Sequence, residues 1–95
     1  PNNRQRFEVW KHNRQVRRVK NGHTLRVQAP APFRLHWTCD EWHTVEDTPS
    51  SGTALGIEFV DIPIASAQRA PARFTFFWTS NNVWEGRDYL VEIEG

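Results

Sequence analysis

Phe33-Arg34-Leu35-His36-Trp37-Thr38 and Arg73-Phe74-Thr75-Phe76-Phe77-Trp78-Thr79 are the two stretches whose reading decides the fold. In the first, Phe33, Leu35 and Trp37 alternate with Arg34, His36 and Thr38. Successive side chains of a strand point to opposite faces, so this alternation predicts a strand with one buried and one solvated side. The second stretch is the most strand-like in the chain, and its inward series is Phe74, Phe76 and Trp78. Trp37 and Trp78 are accordingly read as core.

The same texture extends outward in both directions, as short runs rich in Val, Ile, Phe, Trp and Thr between turn residues. Phe7 to Trp10 reads as a first strand, followed by a polar corner at Lys11 to Arg14. Gln15 to Lys20 and His23 to Gln28 flank Asn21-Gly22, whose two residues accept the positive φ of a type I′ turn, so a β-hairpin is expected there. Ala29-Pro30-Ala31-Pro32 breaks the sheet. Trp42 to Val45 is expected to start a further strand after the turn at Cys39-Asp40-Glu41, and Thr48 to Thr53 reads as a flexible loop. Leu55 to Ile62 is a mostly apolar strand closed by Pro63, and Ala65 to Ala72 is a linking loop or a short turn of helix. Ser80-Asn81-Asn82 turns the chain into Val83-Trp84, Gly86 marks a bulge or second turn, and Tyr89 to Ile93 ends the sheet. No segment repeats apolar residues at helical spacing, and Pro30, Pro32, Pro49, Pro63 and Pro71 interrupt too often for long helices. The expected fold is all-β: an immunoglobulin-like antiparallel β-sandwich of about seven to eight strands, with residues 1–95 forming one domain.

Hydrophobic residues make up only 38% of the chain, yet five are Trp and six are Phe. A core built from few, large rings leaves some of them outside, and a surplus of rings on a surface suits a flat ligand. Net charge is +1, but residues 1–34 hold nine Lys and Arg against Glu8 alone, while residues 35–95 hold three basic groups and ten acids. A basic half raises nucleic acid or a membrane surface as partners. A balanced total gives little attraction for phosphates, and basic strands beside acidic ones such as Val91-Glu92-Ile93-Glu94 explain the asymmetry better. The single cysteine, Cys39, forms no intrachain disulfide. No apolar run approaches the ~20 residues of a membrane span, and no signal peptide is visible. The chain begins at Pro1 and ends within a strand-like run, as an excised C-terminal piece would.

Leu35-His36-Trp37-Thr38, then Asp40-Glu41-Trp42, then Phe74-Thr75-Phe76-Phe77-Trp78 and Trp84-Glu85-Gly86-Arg87-Asp88-Tyr89 form a series. It resembles the starch- and glucan-binding β-sandwich modules, in which an aromatic-ended strand leads to a D-x-W turn and a later F-x-F/W strand to a Trp turn and a final Y-x-V strand. It is most similar to the C-terminal module of bacterial glucoamylase and glucodextranase-like enzymes of glycoside hydrolase family fifteen, where the sandwich follows an (α/α)-barrel. Val9-Trp10, Gln15-Val16-Arg17 and Leu25-Arg26-Val27 extend the resemblance over nearly the whole chain. The resemblance implies a non-catalytic accessory module of an α-glucan hydrolase, with an α-glucan and the parent's catalytic domain as partners. It also implies an extracytoplasmic, secreted or periplasmic parent, and neither nucleic acid nor membrane as partner. The alternative is a purely structural sandwich that packs on the catalytic barrel without binding sugar.

Sugar recognition needs flat aromatic faces for the apolar side of a pyranose and a few fixed polar groups for its hydroxyls. Trp42, at a turn after two acids, and Trp84, just after Asn81-Asn82, are the candidate platforms, with His36, Asn82 and Arg87 as polar candidates. Arg87 reads equally as a partner for Glu85 or Asp88, His36 as a solvated or strand-paired histidine, and Trp10 as packing on the parent's catalytic domain. Glycoside hydrolysis needs two carboxylates across a cleft, whereas Asp40/Glu41 and Glu46/Asp47 are adjacent pairs expected on turns, so no catalytic residue is assigned. His12, His23, His36 and His43 lack zinc-ligand spacing, and no metal or cofactor is implied. Cys39 near His36 and His43 does not make a nucleophile, because a small sandwich offers no oxyanion hole.

Overall fold

The computed structural model describes residues 7–94, which form ten strands and no helix. They are β1 (Phe7–Trp10), β2 (Arg18–Lys20), β3 (Thr24–Ala29), β4 (Phe33–Thr38), β5 (Glu46–Pro49), β6 (Ser51–Gly52), β7 (Glu58–Pro63), β8 (Ala72–Trp78), β9 (Val83–Trp84) and β10 (Tyr89–Glu94). One sheet has the order β1-β3-β7-β6, and the other runs β2-β10-β8-β4-β5 with β9 paired to β8. The expected all-β sandwich is thus the observed one, with more and shorter strands. Most pairs are antiparallel, but β1 pairs with β3 and β2 with β10 in parallel.

Alternation places the inner faces. Leu25 and Val27 of β3, Val60 and Ile62 of β7, Phe33 and Leu35 of β4, and Phe74 and Phe76 of β8 are all buried in one cluster drawn from both sheets. Trp10 closes it. Its indole is 1% exposed and meets Phe74, Phe76 and Tyr89 of the opposite sheet at ring-centroid distances of 5.1, 5.7 and 4.8 Å. Trp10 is therefore not free to pack on another domain, contrary to the expectation. Trp37 and Trp78 do line the core but stand half-buried at its rim, each with a polar tip. Trp37 Nε1 donates to Thr48 Oγ1 (3.0 Å) and Trp78 Nε1 donates to Glu85 Oε1 (2.8 Å). An indole N–H needs such a partner, so the rim suits it better than the apolar centre.

Asn21-Gly22 does not close a hairpin. β2 lies in one sheet and β3 in the other, so this turn carries the chain across the sandwich. His23 N donates to Lys20 O (3.2 Å), and of the two central residues only Gly22 has positive φ (82°). That is the pattern of a type II turn rather than the I′ turn of a hairpin. Asn21 N bonds Glu94 O (2.9 Å) and Gly22 N bonds Ile64 O (2.8 Å), so long-range partners override the local signal. The resulting β2–β10 register sets Arg18 opposite Glu92 and Lys20 opposite Glu94, which is the basic-beside-acidic arrangement the charge pattern suggested.

Of the stretch expected as a loop, Thr48 to Thr53, all but Thr53 is strand interrupted at Ser50. Its backbone N donates to Phe33 O (2.7 Å), while its hydroxyl accepts from Phe33 N (3.1 Å) and donates to Glu58 Oε1 (2.7 Å). Ser50 thereby ties β4 of one sheet to β7 of the other as β5 passes into β6. Pro49 is tolerated because β5 is an edge strand.

Trp10→Ala is expected to lose about 3–5 kcal/mol, much of a small domain's stability of roughly 5–15 kcal/mol. Urea unfolding followed by far-ultraviolet dichroism measures it; a loss near zero would show that the sheets hold together without this ring. Gly22→Ala finds no atom within 4 Å of a new Cβ, so its cost is backbone alone, about 1–2 kcal/mol.

Candidate functional site

The outer face of the six-stranded sheet carries a continuous row of rings. Arg34 and His36 sit two residues apart on β4 and share that face, with Phe77 opposite Arg34 on β8 and Trp84 opposite Phe77 on β9. Trp84 meets Phe77 at 4.9 Å and His36 at 5.7 Å between centroids, edge to face in both cases. His36 in turn stacks on Trp42 at 5.7 Å with 23° between planes. The guanidinium of Arg34 covers Phe77 at 4.8 Å. The row thus runs Trp42, His36, Trp84, Phe77, Arg34. Trp84 is 49% exposed, and Trp42 is partly exposed.

Contrary to the expectation, Trp42 does not start a strand; it occupies a turn, and the strand begins at Glu46. Glu41 and Trp42 have φ of 59° and 70°, and His43 N donates to Asp40 O (3.3 Å). Two successive positive φ values with that bond are the pattern of a type I′ turn, built without Gly or Asn. Positive φ is a genuine outlier for a residue as bulky as Trp. Neighbouring polar groups hold the turn. Asp40 Oδ1 accepts from Thr44 N (2.9 Å) and lies 2.7 Å from the Thr38 hydroxyl; Asp40 Oδ2 accepts from the Thr44 hydroxyl. Trp42 N donates to the same Thr38 hydroxyl (3.2 Å), which is buried. Glu41 reaches across to Arg73 Nε at 2.8 Å. The bonds from Thr44, then Thr38, hold the Asp40 carboxyl at about 2 instead of 3.8.

Trp84 is fixed by its neighbour. Glu85 N donates to Phe76 O (2.9 Å), and its carboxylate accepts from Trp78 Nε1, from the Tyr89 hydroxyl and from His12 Nε2 (3.0 Å). Burial opposes charge on Glu85, but these three donors outweigh it and hold its carboxyl below the usual range. Burial and the same carboxylate push the Tyr89 hydroxyl up to about 12.

Among the sequence candidates, His36, Trp42 and Trp84 come together. Asn82 takes φ 55° in the turn between β8 and β9, exposed and outside the ring contacts. Arg87 pairs with neither Glu85 nor Asp88 among the described residues; its guanidinium lies over Tyr89 at 5.4 Å, and its carbonyl accepts from the Thr75 hydroxyl (2.8 Å). Three members of the surface were missed in sequence: Phe77, Arg34 and Asp47, whose Oδ1 lies 2.7 Å from His36 Nδ1. The signal for Arg34 and Phe77 was the outward set of the two deciding strands, read only for its inward partners. Glu46 and Asp47 lie on strand β5 rather than on a turn.

Because the Asp40 carboxyl is lowered on folding, its contribution is complete above about pH 4 and is lost as pH falls through about 2. The side-chain carboxyl carbon of Asp40 is therefore expected to hold its chemical shift from neutral pH to about 4 and to move only below that. Asp40→Asn is expected to shift the indole resonances of Trp42 at neutral pH. An Asp40 carboxyl carbon that titrates at the ordinary value, near 3.8, would contradict the ionised-cage account.

No family model matches the chain, and neither does any solved structure. Two proteins of Niallia circulans named cycloisomaltooligosaccharide glucanotransferase are similar to it. One is 30% identical over 99 residues and the other 28% over 97, in each case across 90% of this chain. The chain spans 10% of the length of these relatives, so the likeness is to one small segment of a carbohydrate-active enzyme.

Proposed function

We propose that this chain is a non-catalytic accessory module of a glucan-active enzyme and that it binds α-glucan on the row Trp42, His36, Trp84. The observation that carries the reading is the exposed indole of Trp84 placed beside His36 and Trp42 on a rigid sheet, with donors and acceptors alongside. Pyranose rings stack their C–H faces on such rings, and Asp47 and His36 are placed for hydroxyls. The planes of Trp42 and Trp84 stand steeply inclined, since His36 is 23° from one and 84° from the other. A flat extended ribbon cannot rest on both indoles, whereas a curving α-linked chain can. The glucoamylase-like parent suggested by the sequence remains one form of this reading; the similar glucanotransferases favour a transferase parent.

If each indole contributes ~2 kcal/mol, the sum is on the order of 4 kcal/mol, or roughly millimolar affinity. Binding of that strength acts through avidity with a second site on a longer chain.

One observation favours the structural alternative. A groove of about 600 Å³ lies where β1 and β3 end and β7 begins, lined by Lys11, His12, Gln28 and Pro30 and by the exposed Leu55 and Ile57. Leu55 is 84% exposed, and a module docked on its parent would cover it. The two surfaces are distinct, so the readings separate experimentally.

Calorimetric titration with maltoheptaose and isomaltoheptaose is expected to show weak binding that Trp42→Ala and Trp84→Ala each reduce about thirtyfold, while Leu55→Ser leaves it intact. Absence of any heat or chemical-shift change at tens of millimolar ligand would remove the binding claim. In a longer parent, Leu55→Ser is expected to lower the melting temperature without altering glucan affinity if the groove is a docking surface.

A further inference from the structure

We infer that Arg34 is a specificity-determining residue of this surface, a flat hydrogen-bonding plate for the sugar residue next to the one resting on Trp84. The inference rests on the carbohydrate-binding reading and extends it to a subsite that neither the sequence pattern nor the similar proteins assign. Arg34 lies on the same outer face as His36, two positions earlier on β4, and its guanidinium is spread over the ring of Phe77. Phe77 contacts Trp84, so the plate continues the row beyond the exposed indole.

The charge of Arg34 is not used elsewhere. Among the described residues no carboxylate lies within ion-pair distance of it, and its cross-strand neighbours are Phe77 and Pro49. Two other outward strand arginines, Arg26 and Arg73, are committed. Arg26 is held by both oxygens of Asp61 between the rings of Phe7 and Phe59, and Arg73 is paired with Glu41. The guanidinium carbon lies 4.8 Å from the Phe77 ring centroid, and among the described residues no side chain accepts from its N–H groups. A planar fork with fixed orientation suits a pair of neighbouring hydroxyls on one pyranose, whereas an ammonium offers only a point charge. Phe77 itself is covered by Arg34 and Trp84, so its role is to hold the plate rather than to stack on sugar.

The test is titration of the maltose-to-maltoheptaose series into the native chain, Arg34→Ala, Arg34→Lys and Trp84→Ala, with overlaid amide spectra confirming the fold. Arg34→Ala is expected to bind maltose like the native chain and maltoheptaose about tenfold more weakly, flattening the gain with length. Arg34→Lys, which keeps the charge and much of the stem, is expected to behave like Arg34→Ala. Should Arg34→Ala not fold, the Lys variant carries the same comparison. Undiminished maltoheptaose affinity in the Arg34 variants, with binding lost in Trp84→Ala, would overturn the inference and leave the sugar-binding surface standing. Recovery in Arg34→Lys would overturn the fork geometry. A preference for anionic oligosaccharides that vanishes in high salt would overturn the assignment to neutral hydroxyls. Failure of every glucan to bind the native chain would instead remove the underlying reading.

Discussion

The contact of Trp10 with Phe74, Phe76 and Tyr89 is the constraint from which the rest of the molecule follows. A chain with 38% hydrophobic residues has few side chains with which to join two sheets, and one buried indole covers what several aliphatic residues would. Trp10 points from β1 into the opposite sheet, and β1 lies beside β3 in parallel. Once that central position is filled by one indole, the others are displaced outward. Trp37 and Trp78 reach the rim, where their N–H groups find Thr48 and Glu85, and Trp84 remains on the outer face. The surface row is thus a consequence of how the interior is filled.

Two carboxylates then decide where the outer rings stand. Asp40 lies under the turn that presents Trp42, and Glu85 lies under the strand that presents Trp84. Each sits at the edge of the folded layers and is surrounded by donors, so each stays charged where isolated burial would oppose it. A hydroxyl or amide in the same place would accept fewer bonds. The positions of the two indoles therefore depend on charge, although the indoles themselves are neutral. His36, bonded to Asp47 and in contact with both, fills the space between them.

The sandwich was legible because Phe33, Leu35, Phe74 and Phe76 face the core as the alternation required, although Thr38 and Thr75 are buried too, and β4 and β8 pair along six positions. Period-2 patterning reports the inner face directly, and the surplus of indole over core volume pointed to Trp84. Turn chemistry was less informative. Asn21-Gly22 carries the strongest local hairpin signal, yet its backbone amides are claimed by Glu94 and Ile64, which lie far away in sequence. The turn with type I′ character is instead Glu41-Trp42, two residues that no propensity would choose. Its existence depends on Thr38 and Thr44 closing on Asp40, a tertiary fact. Trp10 was misplaced because a four-residue strand offers too short a pattern to separate a core indole from a docking one. Arg34 and Phe77 were passed over because sequence gives the face of a residue but not what covers it.

The backbone of Glu41-Trp42 bears on the proposed function most directly. Left-handed conformation costs an ordinary residue roughly 1–2 kcal/mol, so a turn that needed only to reverse the chain would carry Gly or Asn at these positions. Here the cost is offset by the bonds to Asp40, and the outcome is an indole held against His36 at the end of the row. Strain retained where an easier residue would serve points to the side chain as the thing being preserved. On the proposed glucan-binding reading, holding that indole in place before any ligand arrives also lowers the entropic cost of association. When the contact energy amounts to only a few kcal/mol, that saving decides whether binding is measurable at all. A platform of small area on a sheet face therefore gains most from being rigid, and the Asp40 cage supplies that rigidity at the one member of the row that lies on a turn.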